Sequence, residues 1–407
     1  MGKKVWIVNQ YAIPPEQAGG TRHFSLAKKL NERGHEVTII ASSFDHVTRR
    51  ETRLKKGELY RAETIDGVRF LWIRTPPYRG NSWARVWNMN VFAYRVWRIP
   101  NTLLQKPDVV VGSSPHLWAA LAAERLATRF GVPFVFEVRD LWPQTLIDLG
   151  AFSARHPFVL LLEKMEWYLY QRASRIVTLL PKASEHICAK GGDPNRITWI
   201  SNGVDLEMVP PPTPPQPKGV CTVMYAGTHG FANGLHILLE AISYLEQEGW
   251  GDKIHFRFVG DGPEKARLKE KSKQLGLRSI SFEDPVPKNR VYTLLSEADV
   301  LAMVFLKSPL YRWGISPNKI FDYLAVARPV VLAVDAPLNP VEESGAGLVV
   351  SPDPVAIAKA IRQMALMSPE ERWAIGLKGR RYVEVHYSWS CLAEKYEALI
   401  GEVLGGE

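Results

Sequence analysis

The residues with chemistry to offer gather in short loops that follow strand-like runs. The most informative loop opens "RWGISPNKIFDYLAVARPVV", residues 312–331. Ser316 is a good N-cap and Pro317 a good first helical residue. The first turn nevertheless carries Lys319, where a helix dipole prefers negative charge. Asn318 and Asp322 are four apart and so share one face. A lysine, an amide and a carboxylate around the positive end of a helix suit a ligand that is anionic and bears hydroxyls, as a nucleotide does. The competing explanation is a local Lys319–Asp322 pair, which would contribute only about 0.2–0.5 kcal/mol.

Other loops share this layout. "PPEQAGGTRHF" puts Gly19 and Gly20 before a helix, with Arg22 and His23 in its first turn; paired glycines let a ligand approach the backbone. "VGSSPHL" offers His116 after a strand, although Ser-Ser-Pro is also an ordinary cap sequence. "EVRDLWPQ" places Arg139 and Asp140 side by side at a strand's carboxyl end. "YAGTHGFANGLHILLEAI" spaces Gly227, Gly230 and Gly234 as G-x2-G-x3-G, with Thr228 and His229 between them. That is not the dinucleotide fingerprint, but a glycine-rich loop opening a helix suits a phosphate. "VGDGPEK" (259–265) reads equally well as an ordinary turn. No Asp-x-Asp pair, no zinc-spaced His/Cys cluster and no G-x-x-x-x-G-K-[ST] loop occurs. A diphosphate would therefore rest on amides, helix dipoles and cations, with no tightly bound metal and no cofactor.

The elements that carry these loops alternate between strand and helix, which predicts α/β domains with mostly parallel sheets covered on both faces. "KVWIVN", "EVTIIA", "GVRFLWI", "DVVVG", "PFVFEV", "RIVTLL" and "ITWIS" read as strands of a first domain, 1–205. Helices are predicted near 21–33, 83–105, from 115, at 157–172 and from 181. Six prolines within 210–217 form neither helix nor central strand, so 206–218 reads as a semi-rigid linker. The alternation restarts over 219–386, and 387–407 reads as a closing helix. Two doubly wound domains in tandem would bind ligand beyond the carboxyl ends of their strands.

Composition is that of ordinary globular protein, with 46% hydrophobic and 23% charged residues. No run of about 18 apolar residues occurs, the first residues read as a strand, and the three cysteines are far apart, so the expectation is a reducing, cytoplasmic setting. Residues 1–200 hold 29 Lys+Arg against 17 Asp+Glu, and residues 201–407 hold 22 against 25, so the net +9 sits wholly in the first half. Between Asp66 and Asp108 there is no acid, but there are seven bases, including Arg85, Arg95 and Arg98, and four tryptophans, Trp72, Trp83, Trp87 and Trp97. Arginine and tryptophan interleaved along a helix suit an anionic membrane surface; the alternative is a solvated basic face over buried rings.

The segments "AGGTRHFSLAKKLNERGHEVTII", "DLWP", "SNGVD", "YAGTHG", "NGLHILLEAI", "FVGDGPEK" and "SPNKIFDYLAVARPVV" together resemble the retaining glycosyltransferases of family 4. The resemblance spans essentially the whole chain. Within the family the chain is most similar to bacterial enzymes that build surface polysaccharide, of the colanic acid and O-antigen type, on a lipid carrier. It implies the GT-B fold of two facing Rossmann-like domains, with a C-terminal helix crossing back to the first. It implies a nucleoside-diphosphate sugar as donor, with UDP favoured, and a polyprenyl-diphosphate-linked sugar as acceptor. It places the protein on the inner face of the bacterial plasma membrane, with no nucleic acid as partner.

Of the family's two glutamates in the 312–331 region, the second falls on Asp322, implied to bind the ribose. The first falls on Gly314, where backbone of Gly314, Ile315 and Ser316 would take over. The family's arginine and lysine in the loop after the second domain's first strand fall on Thr228 and Asn233. Diphosphate charge would then be met by His229, Lys319, Arg22 or Arg139. The expected catalytic set is His116, Arg139, Asp140 and Lys319. Gly20, Gly227, Thr228, His229, Gly230, Asn318 and Asp322 would hold the donor. Arg22 with the arginines and tryptophans of the 83–98 stretch would face acceptor and membrane. Two rivals stay open: a nucleotide-sugar 2-epimerase of the same fold, and a non-catalytic basic module for membrane or nucleic acid.

Overall fold

The computed structural model describes residues 2–17, 19–80, 83–215 and 219–405. They form two compact units. One combines the residues up to Ser201 with those from Trp389 onward, and the other runs from Asn202 to Ser388.

The N-terminal unit contains β1 (Lys4–Val8), α1 (Arg22–Glu32), β2 (Glu36–Ser42), a small hairpin of β3 (Phe44–Asp45) and β4 (Arg50–Glu51), then β5 (Tyr60–Ile65), β6 (Val68–Ile73) and α2 (Trp83–Trp97). It continues with β7 (Val109–Ser113), α3 (Leu117–Phe130), β8 (Phe134–Val138), α4 (Gln144–Asp148), α5 (Pro157–Arg172), β9 (Arg175–Thr178), α6 (Ala183–Ala189) and β10 (Ile197–Trp199). Its sheet runs β10-β9-β8-β7-β1-β2-β6-β5 and is parallel except at the β5 edge, which pairs antiparallel with β6. The central strands are apolar on both faces because helices cover both. α2, α3 and α5 pack side by side, while α1 packs against a helix from the far end of the chain.

The C-terminal unit follows with β11 (Cys221–Ala226), α7 (Leu235–Gln247), β12 (Ile254–Val259), α8 (Lys265–Gln274), β13 (Ile280–Glu283), α9 (Lys288–Ser296), β14 (Val300–Val304), α10 (Asn318–Ala325) and β15 (Val330–Ala333). α11 (Pro340–Ser344), β16 (Gly347–Val350), α12 (Pro354–Leu366) and α13 (Pro369–His386) complete it. The sheet is β13-β12-β11-β14-β15-β16, parallel throughout. That is the doubly wound order in which the crevice for ligand opens where the winding reverses, here between β11 and β14. The corresponding reversal in the first sheet lies between β1 and β7.

The last helix, α14 (Trp389–Val403), belongs to the N-terminal unit. Its Leu392, Tyr396, Leu399 and Ile400 are buried in that unit's core beside Leu26, Leu30 and Ile39. At about 1.5–3 kcal/mol for each fully buried side chain of this size, the core depends on this helix.

Several local expectations are corrected. The helix predicted over 83–105 stops at Trp97, ahead of Pro100, as the clash of a proline with the preceding turn requires. Trp72 is a buried β6 residue, not part of the exposed aromatic set. The proline stretch expected as a spacer is docked on the C-terminal unit: Val209 is buried in its core and Arg328 donates to the Thr213 carbonyl at 3.1 Å. Gln216, Pro217 and Lys218 lie outside the described residues. Ser316 is not the cap of α10, because its Oγ accepts from the Asn202 amide at 3.0 Å; Pro317 occupies the N-cap position.

Candidate functional site

In the C-terminal unit the site is built on the end of β11. Tyr323, from α10, brackets Ala226: its hydroxyl accepts from the Ala226 amide at 2.8 Å and donates to the carbonyl at 3.1 Å. This anchors α10 one turn away from Lys319, whose side chain then crosses the glycine-rich loop. Gly227 has φ of 152°, where a side chain would be strained, and a Cβ there would sit 3.0 Å from the Lys319 Nζ and crowd the ammonium. A Cβ at Gly260 would meet the Gly227 carbonyl at 2.0 Å, which explains the glycine of "VGDGPEK" as a packing requirement.

Lys319 donates to the Tyr225 hydroxyl at 2.8 Å and to Asn233 Oδ1 at 2.9 Å, and lies 4.7 Å from the Tyr225 ring centre. Tyr225 and the Asn233 amide in turn both donate to the Thr228 carbonyl, at 2.7 and 2.9 Å. All of these partners are neutral. Among the described residues no carboxylate pairs with Lys319, and burial lowers its ammonium to a pKa of about 8. The i,i+3 pair with Asp322 does not form. Asp322 accepts from the Tyr292 hydroxyl at 2.9 Å instead. Burial raises its carboxyl to about 6, opposed by that hydrogen bond and by the Lys288 charge.

Gly314 has φ of 91°, Ile315 is buried, and the Ser316 carbonyl accepts from Asn202 Nδ2 at 2.7 Å. Gly230 and Asn318 stand at the starts of the short 3-10 turn 231–233 and of α10. His229 is corrected. Its ring is fully buried among Tyr225, Phe258 and Phe282, both ring nitrogens lack a partner among the described residues, and burial lowers its pKa to about 4. It therefore brings no cation to a diphosphate. Its backbone staples two loops, the amide donating to the Asp261 carbonyl at 2.8 Å and the carbonyl accepting from Glu264 at 3.0 Å.

In the N-terminal unit, Arg22 is likewise corrected. It is 1% exposed and held by Glu137 Oε2 at 2.9–3.0 Å and by the carbonyls of Ile200 and Ser201. It meets neither acceptor nor membrane. Glu137, fully buried on β8, also joins His23 at 2.7 Å and Ser113 Oγ at 2.7 Å. The charges of Arg22 and His23, against the cost of burial, hold its carboxyl well below the usual range. This residue was not singled out from the sequence, yet an acid within the apolar run "FVFEV" is itself a signal, since a buried carboxylate needs partners.

His116, not Ser113 or Ser114, caps α3: its Nδ1 accepts from the Ala119 amide at 3.3 Å. Ser114 Oγ accepts from the amides of Arg139 and Asp140, at 2.8 and 3.4 Å, fixing that turn. Arg139 is half-buried, and Asp140 and Gly20 are exposed. On α2, Trp83, Trp87, Tyr94 and Trp97 are exposed, the first by 83%. Arg98 is exposed, Arg85 is half-buried, and Arg95 turns inward to the Arg74 carbonyl. Helix α5 adds Leu160, Leu161 and Trp167 to the exposed apolar set, which was missed because the run "FVLLLEKMEW" reads as an ordinary core-facing helix.

Two family models cover most of the chain: a glycosyl transferase 4-like domain over residues 18–203 and glycosyl transferases group 1 over 221–366. The chain belongs to glycosyltransferase family 4. This glycosyltransferase is 24% identical over 312 residues to "Probable glycosyltransferase WbjE" of Pseudomonas aeruginosa, covering 74% of this chain and 76% of that one. It is 23% identical over 378 residues to WcaI of Escherichia coli (strain K12), whose name assigns it to colanic acid biosynthesis as a glycosyl transferase; 87% of this chain and 90% of WcaI are covered. HepE of Anabaena, solved in complex with UDP and glucose, superposes with a TM-score of 0.67 at 14% identity, over 98% of this chain and all of that one. The enzyme is thus a transferase (EC 2.4) of GT-B fold, with relatives in polysaccharide biosynthesis. Among the described residues no helix is long and apolar enough to cross a membrane.

Proposed function

We propose that this enzyme is a retaining glycosyltransferase that moves a sugar from a UDP-sugar to a hydroxyl of a lipid-diphosphate-linked glycan in bacterial surface polysaccharide synthesis. The observation that carries the donor half is Lys319, a largely desolvated cation held, among the described residues, by neutral oxygens over a glycine-rich loop. A diphosphate would replace those oxygens and compensate the charge. Asp322 would accept from the ribose hydroxyls, with Tyr292 fixing its other oxygen. HepE's UDP and the colanic acid biosynthesis in WcaI's name support the donor and pathway.

As the anomeric bond breaks, negative charge grows on the departing phosphate and positive charge on the sugar ring. Lys319 and the loop amides stabilise the former, with no tightly bound metal. Attack comes from the face the leaving group departs, and the donor phosphate helps take the acceptor proton. Arg139 and Asp140 serve the acceptor side. The exposed rings of α2 and α5, in the basic half of the chain, rest on an anionic inner leaflet.

A donor screen reading UDP release with a prenyl-diphosphate-linked sugar present tests this directly. Acceptor-dependent release from a UDP-sugar, insensitive to chelator and giving an anomer of the donor's configuration, is expected. Consumption of a UDP-sugar alone, yielding an epimer, would replace the proposal with the epimerase.

A further inference from the structure

Polar residues gather where β1, β2 and β6 begin. Register places Trp6 of β1, Thr38 of β2, Arg69 of β6 and Thr64 of β5 side by side in one row across the sheet. Lys4 and Glu36 stand two residues earlier on β1 and β2, and so on the same face. Two residues later the matching row is Val8, Ile40 and Leu71, all fully buried. The face therefore turns from apolar to polar at Trp6. There it opens into a cavity of about 330 Å³ lined by Lys4, Trp6, Thr38, Thr64, Arg69 and Gln105. This cavity is at the amino ends of the strands, whereas a parallel sheet takes its substrates beyond the carboxyl ends.

Trp6 is 3% exposed and Thr38 7%, yet neither the indole N–H nor the Thr38 hydroxyl has a hydrogen-bond partner among the described residues. Polar groups buried to this degree are nearly always paired, so their partner comes from the cavity. Two cations stand over that floor. The Lys4 ammonium is held by Gln105 Oε1, and Arg69 donates to the Leu103 carbonyl at 3.3 Å; both acceptors are neutral. Glu36, also on the wall, forms no ion pair with either cation among the described residues. The other polar wall groups are spent. Asn31 donates to the Gly67 carbonyl at 3.0 Å and accepts from the Val37 amide at 2.8 Å. His35 accepts from the Lys3 amide at 3.2 Å and meets Glu397 at 2.9 Å. An ammonium and a guanidinium select an anion, and the guanidinium fork matches the oxygens of a phosphate. The Thr38 hydroxyl and the Glu36 carboxylate suit hydroxyls on the same ligand. The volume is at the lower end for small-molecule sites, enough for a phosphate with a short carbon body.

We propose that this cavity binds a phosphoryl group carried on a small hydroxylated body, at a site separate from sugar transfer. Lys4 and Arg69 hold the phosphate, Trp6 and Thr38 donate to the oxygens turned toward the floor, and Glu36 accepts from a hydroxyl. The glycerophosphate headgroup of an anionic lipid and a free glycerol or sugar phosphate share this chemistry. The connection from α2 to β7, which carries Leu103 and Gln105, forms one wall. An occupant therefore ties the end of the tryptophan-bearing helix to the sheet.

The test is calorimetric titration of the full chain with sn-glycerol 3-phosphate, beside sedimentation with vesicles of phosphatidylglycerol in phosphatidylcholine. Arg69→Gln removes a charge at an exposed position, and Thr38→Val keeps the shape but removes the hydroxyl. Both are expected to weaken glycerol 3-phosphate binding, the first by about tenfold or more. If glycerol 3-phosphate also releases wild type from the vesicles, and Arg69→Gln sediments less, the site takes a lipid headgroup. If it binds and sedimentation is unchanged by either, the site takes a free phosphate ester. Both results support the site. No measurable binding of glycerol 3-phosphate by wild type overturns it. Binding that Arg69→Gln leaves unchanged, or that saturating UDP abolishes, overturns it as well. Should Thr38→Val not fold, Arg69→Gln decides the matter alone.

Discussion

In the C-terminal unit the first strand runs into eight residues, Gly227–Gly234, before its helix begins; in the N-terminal unit thirteen residues, 9–21, separate β1 from α1. Both connections open at the reversal of a parallel sheet, so topology gives each unit a crevice in the same place. The contents differ. The short loop is crossed by a cation whose partners among the described residues are neutral, Lys319. In the longer connection's unit, the arginine that opens α1 is consumed by Glu137, while the neutral Gln10 Oε1 and His116 Nε2 are buried with no hydrogen-bond partner among the described residues. Backbone winding decides where a ligand goes, and the pairing of a few charges decides which ligand it is.

That contrast can be broken at either end. The largest effect is expected from Glu137→Ala. It leaves Arg22 buried without its carboxylate, and should cost about 3–5 kcal/mol in denaturant unfolding. An unchanged midpoint would mean the ion pair is not what neutralises the N-terminal crevice.

Lys319→Ala comes next, with a loss of about 2.7–4 kcal/mol of transition-state stabilisation, read as kcat/KM for the donor. A change under twofold would remove Lys319 from the site.

A smaller effect follows from pH. Lys319, lowered to about 8, loses its charge as pH rises through 8, and Asp322, raised to about 6, loses its charge as pH falls through 6. Affinity for a UDP-sugar should therefore peak between about pH 6 and 8. The sign for stability is opposite to that for binding at Asp322. Its folded pKa lies above the unfolded value, so its contribution to stability is present below about 4 and lost as pH rises through 6. Asp322→Asn should therefore stabilise the free enzyme at pH 7 by about 2 kcal/mol while flattening the acid limb of UDP-sugar binding. A titration showing that limb intact in the variant would assign it elsewhere.

The smallest effect is on the outer face of α2. Trp83→Ser with Trp87→Ser should leave thermal unfolding unchanged, since both rings are exposed, and reduce pelleting with anionic liposomes at low salt. Undiminished pelleting would move the membrane contact off this helix.

The alternation of strand and helix was legible because buried parallel strands and covering helices leave distinct apolar periods. The glycine-rich loop and Lys319 were legible as residue types at a strand's end. What Lys319 touches was not, because Tyr225 is 94 positions away. The cap at Ser316 failed for the same reason: Asn202, 114 positions earlier, takes its hydroxyl. Arg22 looked available because its partner Glu137 lies 115 residues on. Gln10 drew no notice, since an orphaned oxygen is a property of packing and not of residue type.

Because α14 completes the core of the N-terminal unit, the order of synthesis and the order of assembly differ. A chain leaving the ribosome has made all eight strands of the first sheet by residue 199, yet the slot for Leu392, Tyr396 and Ile400 stays empty until residues 392–400 have emerged. The segment from Asn202 to Ser388 can close its own sheet first, so the half made earliest is the one that must wait.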